Sequence, residues 1–156
     1  MYLWLKLIHI LAVVMFIGNV VTGLFWHKHA LATRDPRLIA HAMEGVIRSD
    51  RLFTVPGVVL IIVSGLIAAI QGGIPLLRTG WIAWTLLLFG ISGLVFMLKL
   101  APLQRQMHGV AQAGAASGGF DEAVYHRLSR QWDAWSAVAT GTPLLGLALM
   151  VLKPAL

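Results

Sequence analysis

Four long apolar runs alternate with polar connections along this chain. They cover about residues 3–25, 52–71, 80–100 and 135–152. Each reaches or approaches the ~20 residues a helix needs to cross about 30 Å of hydrocarbon. The pattern predicts an all-α fold: a four-helix transmembrane bundle in one integral membrane domain over residues 1–156. Between the first two runs, Asp35-Pro36 reads as a helix start. Leu38, Ile39, Ala42, Met43, Val46 and Ile47 then recur at helical spacing, with Arg37, His41, Glu44 and Arg48 on the other face. This amphipathic interfacial helix either lies along the membrane surface or packs on the end of the bundle.

Local signals refine the picture. Tyr2, Trp4, Trp26, Trp81, Trp84, Trp132 and Trp135 fall near span ends, as interface belts do. Pro56 stands near the start of the second span, and Pro143 should bend the fourth. Ser64/Ala68, Gly65/Ala69, Ala137/Gly141 and Thr142/Gly146 are small pairs that allow close helix contact. The stretch 104–119, with AQAGAASGG as its low-complexity part, reads as a flexible connector or frayed helix end. The dense run Arg48-Ser49-Asp50-Arg51 suits either anionic lipid headgroups or closure of the bundle by ion pairs, and closure is the expectation.

Composition agrees with the runs. Hydrophobic residues make up 58% and charged residues 12%, against about 25% charged in soluble domains. The first run is too long, and lacks the basic start and small-residue cleavage site, for a signal peptide. The net charge of +6 does not point to nucleic acid, because Lys and Arg sit in the connections. Nine of them (Lys28, Arg34, Arg37, Arg48, Arg51, Lys99, Arg105, Arg127, Arg130) lie on one side and three (Lys6, Arg78, Lys153) on the other. That imbalance predicts cytoplasmic long connections and both termini outside. The expected location is a bacterial inner membrane.

Candidate chemistry is sparse. Cysteine is absent, so thiolate metal sites and redox thiols are excluded. No Ser/His/Asp set, phosphate-binding glycine loop or HExxH motif occurs, and no carboxylate falls within a predicted span. His9 is the exception, an ionisable side chain about 9 Å, or six residues, inside the first span. Intramembrane ionisable groups are functional candidates, and an imidazole can ligate haem iron or copper. Alternatively, His9 hydrogen-bonds a carbonyl or a residue such as Ser64. Trp81, Trp84 and Met150 fall near its level, and Lys6 lies one helical turn away. His27 and His29 read as a wet boundary cluster, and His126, Arg130 and Asp133 as a solvated face.

The pattern Tyr2-Leu3-Trp4-x-Lys6-x-x-His9-Ile10, with a glycine near the helix middle, resembles a family of small bacterial integral membrane proteins of unknown function. More distantly it is similar to HemJ-type protoporphyrinogen oxidases and to the membrane domain of CopD-type copper-resistance proteins. The HemJ-type resemblance implies haem b on His9. Thr85 stands where that group carries a lysine required for activity, a departure that bears on the oxidase reaction rather than on haem. The leading expectation is a haem-b protein with His9 as metal ligand. Lys6, Trp81, Trp84 and Met150 would serve around the cofactor, with a quinone or porphyrin as partner. The other readings are a cofactor-free accessory or scaffold protein and a copper-handling protein. Membrane lipids, and a homodimer through the small-residue faces, complete the expected partners.

Overall fold

A computed structural model describes residues 1–76 and 78–155. The apolar runs form four helical rods, each long and apolar enough to cross a membrane. Helix α1 runs Tyr2–Ala32 without interruption. Helices α2 (Pro36–Ser49) and α3 (Val55–Gln71) join through a π-helical turn, Asp50–Thr54, into a second rod. Helices α4 (Gly80–Val95) and α5 (Ala101–Ser117) join through a second π turn, Phe96–Leu100, into a third. Helix α6, Glu122–Leu152, is the fourth.

Both π turns stop two residues before a proline, Pro56 or Pro102. A proline inside a helix lacks the N–H and crowds the carbonyl four residues back. A local widening to π geometry absorbs that conflict without ending the rod. The rods end where the sequence supplies stops. Arg34 turns the chain with φ of 56°, and Asp35 then accepts from the Arg37 N–H at 2.8 Å to start α2. Gly118, at φ of 73°, closes α5, and the Asp121 carboxylate accepts from the Val124 N–H at 2.9 Å to start α6.

Packing differs along the bundle. Within the apolar spans α1 packs on α3 and α4 on α6, giving two helix pairs. Phe16 of α1 meets Phe89 of α4 between them, ring centroids 5.7 Å apart. At the end carrying the long connections, α2 packs on α5 and draws in α1 and α6. That end holds the larger core, with Ile39, Met43, Met107, Ala111 and Tyr125 at 1% exposure or less. The span surfaces expose Leu11, Val14, Leu87, Leu94 and Leu145. That is the expected inversion for a bundle whose outer solvent is lipid.

The amphipathic segment therefore takes the bundle end. Ile39, Met43 and Val46 are its buried stripe. The expected flexible connector is helical instead: α5 continues to Ser117, with Ala111 and Gly114 buried. At Gly114 a Cβ would come within 2.9 Å of the Phe120 backbone, so the missing side chain lets the turn fold back on the helix. Small residues, read as flexibility, here serve close contact.

Candidate functional site

Asp50 opens the first π turn and is 8% exposed. One oxygen, Oδ1, accepts from Thr54 Oγ1 at 2.7 Å and from Asn19 Nδ2 at 3.2 Å. The other, Oδ2, accepts from Gln104 Nε2 at 2.8 Å. Asn19 Nδ2 also donates to Thr54 Oγ1 at 2.9 Å. Three rods thus meet at one side chain. Each of these bonds reaches Asp50 from a neutral side chain. Asn19 lies six residues, about 9 Å, inside the end of the first apolar run. Asp50 is held at that depth. This corrects one expectation: Asp50 does not close the bundle by pairing with its arginine neighbours but is bonded by neutral side chains of three rods. Arg48 instead pairs with Glu44 at 2.6 Å on the surface.

The cluster lines a cavity of about 360 Å³ between the two helix pairs. Its other walls are mostly apolar, including Phe16, Val58, Phe89, Met97 and Ala139. Trp132 and Thr140 also line it. The Trp132 Nε1 and Thr140 Oγ1 atoms are buried with no hydrogen-bond partner among the described residues. Trp132, at 3% exposure, is no interface-belt residue.

Beside this cavity, His27 is 2% exposed rather than wet. Its Nε2 bonds Ser129 Oγ at 3.0 Å, and its ring meets Trp132 edge-on at 4.8 Å. His27 lies just past the first apolar run, and burial pushes its pKa down to about 4. Lys28 pairs with Asp133, so that acid is not simply solvated.

His9 lies on the α1–α3 pair. Its Nδ1 is 3.0 Å from Ile61 O and 3.2 Å from Ser64 Oγ. The Ile61 oxygen can only accept, so Nδ1 carries the proton and Nε2 keeps its lone pair. Ser64 donates its own proton to Leu60 O. Gly65 makes room for the ring: a Cβ there would meet His9 Cε1 at 3.0 Å. The small-residue face of the second span thus seats the histidine.

The other expected site residues are dispersed. Trp81 lies under the Lys153 ammonium at 5.7 Å, and Trp84 is 52% exposed. Both are on α4, Met150 is on its partner α6, and Lys6 reaches over the Tyr2 ring at 6.0 Å. None of these five, His9 included, lines the 360 Å³ cavity. Among the described residues no group of three or more His, Cys, Asp or Glu side chains comes together.

Sequence spacing missed Asp50 because it precedes the apolar run by two residues. The usable signal was its i, i+4 relation to Thr54, with Asn19 as a polar position inside the first apolar run and Gln104 just past the third. No curated protein and no solved structure matches the chain. A family described as predicted integral membrane protein (DUF2269) matches residues 3–154. The chain therefore belongs to that family of integral membrane proteins.

Proposed function

We propose that this chain binds a small, largely apolar molecule from the bilayer in the cavity between its helix pairs, with the molecule's polar group at Asp50. The observation that carries this is the buried carboxylate on the wall of an apolar cavity. A buried charge costs several kcal/mol, and well-packed apolar residues often serve stability as well or better. Intramembrane acids accordingly mark ligand and ion sites. Two carboxylate oxygens offer about four acceptor positions, and three are filled. The remaining one suits a hydroxyl donor. A quinol ring with a hydrocarbon tail has this combination, which makes quinol the proposed partner class. The excess of Lys and Arg on the connections supports a cytoplasmic position for that end of the bundle in a bacterial inner membrane.

The test is titration of the detergent-purified protein with a decyl-substituted benzoquinol, followed by tryptophan fluorescence. Saturable quenching is expected, weakened at least about tenfold in Asp50→Asn, which loses a hydrogen bond to a charged group. Absence of saturation, or equal affinity in Asp50→Asn, rejects the proposal.

A second reading, haem b on His9, is favoured by one observation. An Nδ1–H held by a backbone carbonyl, with Nε2 free, is the usual outer arrangement of a metal-bound histidine. The fit is partial, since Trp81, Trp84 and Met150 belong to the other helix pair. A Soret band lost in His9→Ala and kept in Asp50→Asn would support it. A colourless protein after haem supply would reject it, leaving the cofactor-free and copper readings to metal analysis. A homodimer remains a proposal for sedimentation to test.

A further inference from the structure

A second cavity, about 140 Å³, shares Asp50, Gln104, Val55 and Phe96 with the larger one and adds Arg51 and Arg105. It lies between the second and third rods and is lined by residues of both π turns. Arg51 and Arg105 are both exposed, and neither makes an ion pair among the described residues. Each follows directly on a member of the buried bond: Asp50 before Arg51, Gln104 before Arg105. The 2.8 Å bond between Asp50 and Gln104 therefore fixes the two arginine backbones around one crevice. Their side chains are long enough to keep the guanidinium groups at the headgroup layer while their stems lie along apolar surface.

The charge arithmetic favours an anion. Two guanidinium groups against one carboxylate leave one net positive charge among the ionisable residues lining this cavity. The Asp50 oxygens are already engaged by neutral donors, so neither arginine is neutralised by a close pair. Guanidinium binds phosphate oxygens through paired N–H donors. Val55 and Phe96, between the cations and the hydrocarbon, offer apolar surface to an acyl chain. A free anion has no use for that surface, whereas a phospholipid does.

We propose that this crevice binds the phosphate of an anionic phospholipid through Arg51 and Arg105, with an acyl chain along Val55 and Phe96. Arg51 and Arg105 line this crevice and not the larger cavity, so their substitution tests the lipid site separately from the quinol site. Basic pockets between membrane helices bind anionic lipids in this manner, with roughly a fivefold gain for each Lys or Arg near the surface.

The test uses the delipidated full-length chain and native mass spectrometry with dioleoyl phosphatidylglycerol or dioleoyl phosphatidylcholine. Phosphatidylglycerol should bind about 25-fold more tightly, the product of two such gains. Arg51→Gln and Arg105→Gln should each remove about fivefold, and the double variant the whole preference. The equally charged control Arg48→Gln/Arg127→Gln should keep it. Equal binding of both lipids, a preference surviving the double variant, or the same loss in the control overturns the site. If inorganic phosphate stabilises the delipidated protein as much as phosphatidylglycerol does, the occupant is a free anion and the lipid assignment falls.

Discussion

The bond between Asp50 and Gln104 allows a quantitative test of the charge state on which the binding site depends. Single substitutions mix opposing terms. Gln104→Leu leaves Oδ2 without its donor but places a hydrocarbon side chain at a position 4% exposed. Asp50→Asn removes a buried carboxyl group and, with it, part of what Asn19, Thr54 and Gln104 bond to. A double-mutant cycle cancels these and leaves the coupling between the two side chains. For a 2.8 Å bond to an ionised carboxylate the coupling should be about 1.5–3 kcal/mol. Between two neutral groups in a membrane protein it averages only about 0.6 kcal/mol. Neutral pairs reach about 1.7 kcal/mol at most, so a coupling above about 2 kcal/mol identifies the charged acceptor. Unfolding of the wild type, Asp50→Asn, Gln104→Leu and the double variant would be followed by helical circular dichroism in detergent–SDS mixed micelles. A coupling of about 0.6 kcal/mol or less refutes the ionised, bonded carboxylate.

Three other predictions concern the surroundings. His27 should make stability pH-dependent. Its folded pKa of about 4 lies below the ordinary 6.5, so the folded state binds fewer protons between those values and stability falls as pH drops from 6.5 to 4. The full shift corresponds to about 3 kcal/mol, and His27→Gln should lose this component in the same unfolding assay; equal pH profiles for both proteins would contradict the buried imidazole. Gly114→Ala should destabilise by about 1–3 kcal/mol, because its Cβ meets the Phe120 backbone at 2.9 Å and backbone cannot swing aside; a neutral result in thermal unfolding would sink the close turn. Gly65→Val should push the His9 ring off α3, moving its imidazole NMR resonances, while unchanged resonances would contradict the seat described for it.

Much of the fold was legible because membrane physics is coarse. Twenty apolar residues must become a helix, and caps such as Asp35-Pro36 and Asp121 mark where helices begin. The small-residue pairs were also informative. Ser64 and Gly65 receive His9, and Gly146 lies against Thr85, where a Cβ would approach at 3.1 Å. What periodicity could not supply was the continuation of rods past the hydrocarbon. Pro56 reads as near the start of a span, yet a π turn carries the helix into it, and a second π turn does the same before Pro102. That continuation buries Met43, Met107 and Trp132 in one core and draws Asp50 inward to Asn19. Charge counting alone assigns such a residue to the surface. His27 was misplaced for the same reason, since its cover comes from α6, about a hundred residues away.

The most direct test of the central claim watches the Asp50 carboxylate itself. Infrared difference spectra would be recorded on protein labelled with ¹³C-carboxyl aspartate, with and without saturating decyl-benzoquinol. Ligand binding at Asp50 predicts a shift of an aspartate carboxylate band that disappears in Asp50→Asn. A quinol-bound spectrum with no aspartate change, or the same change in the variant, would contradict it.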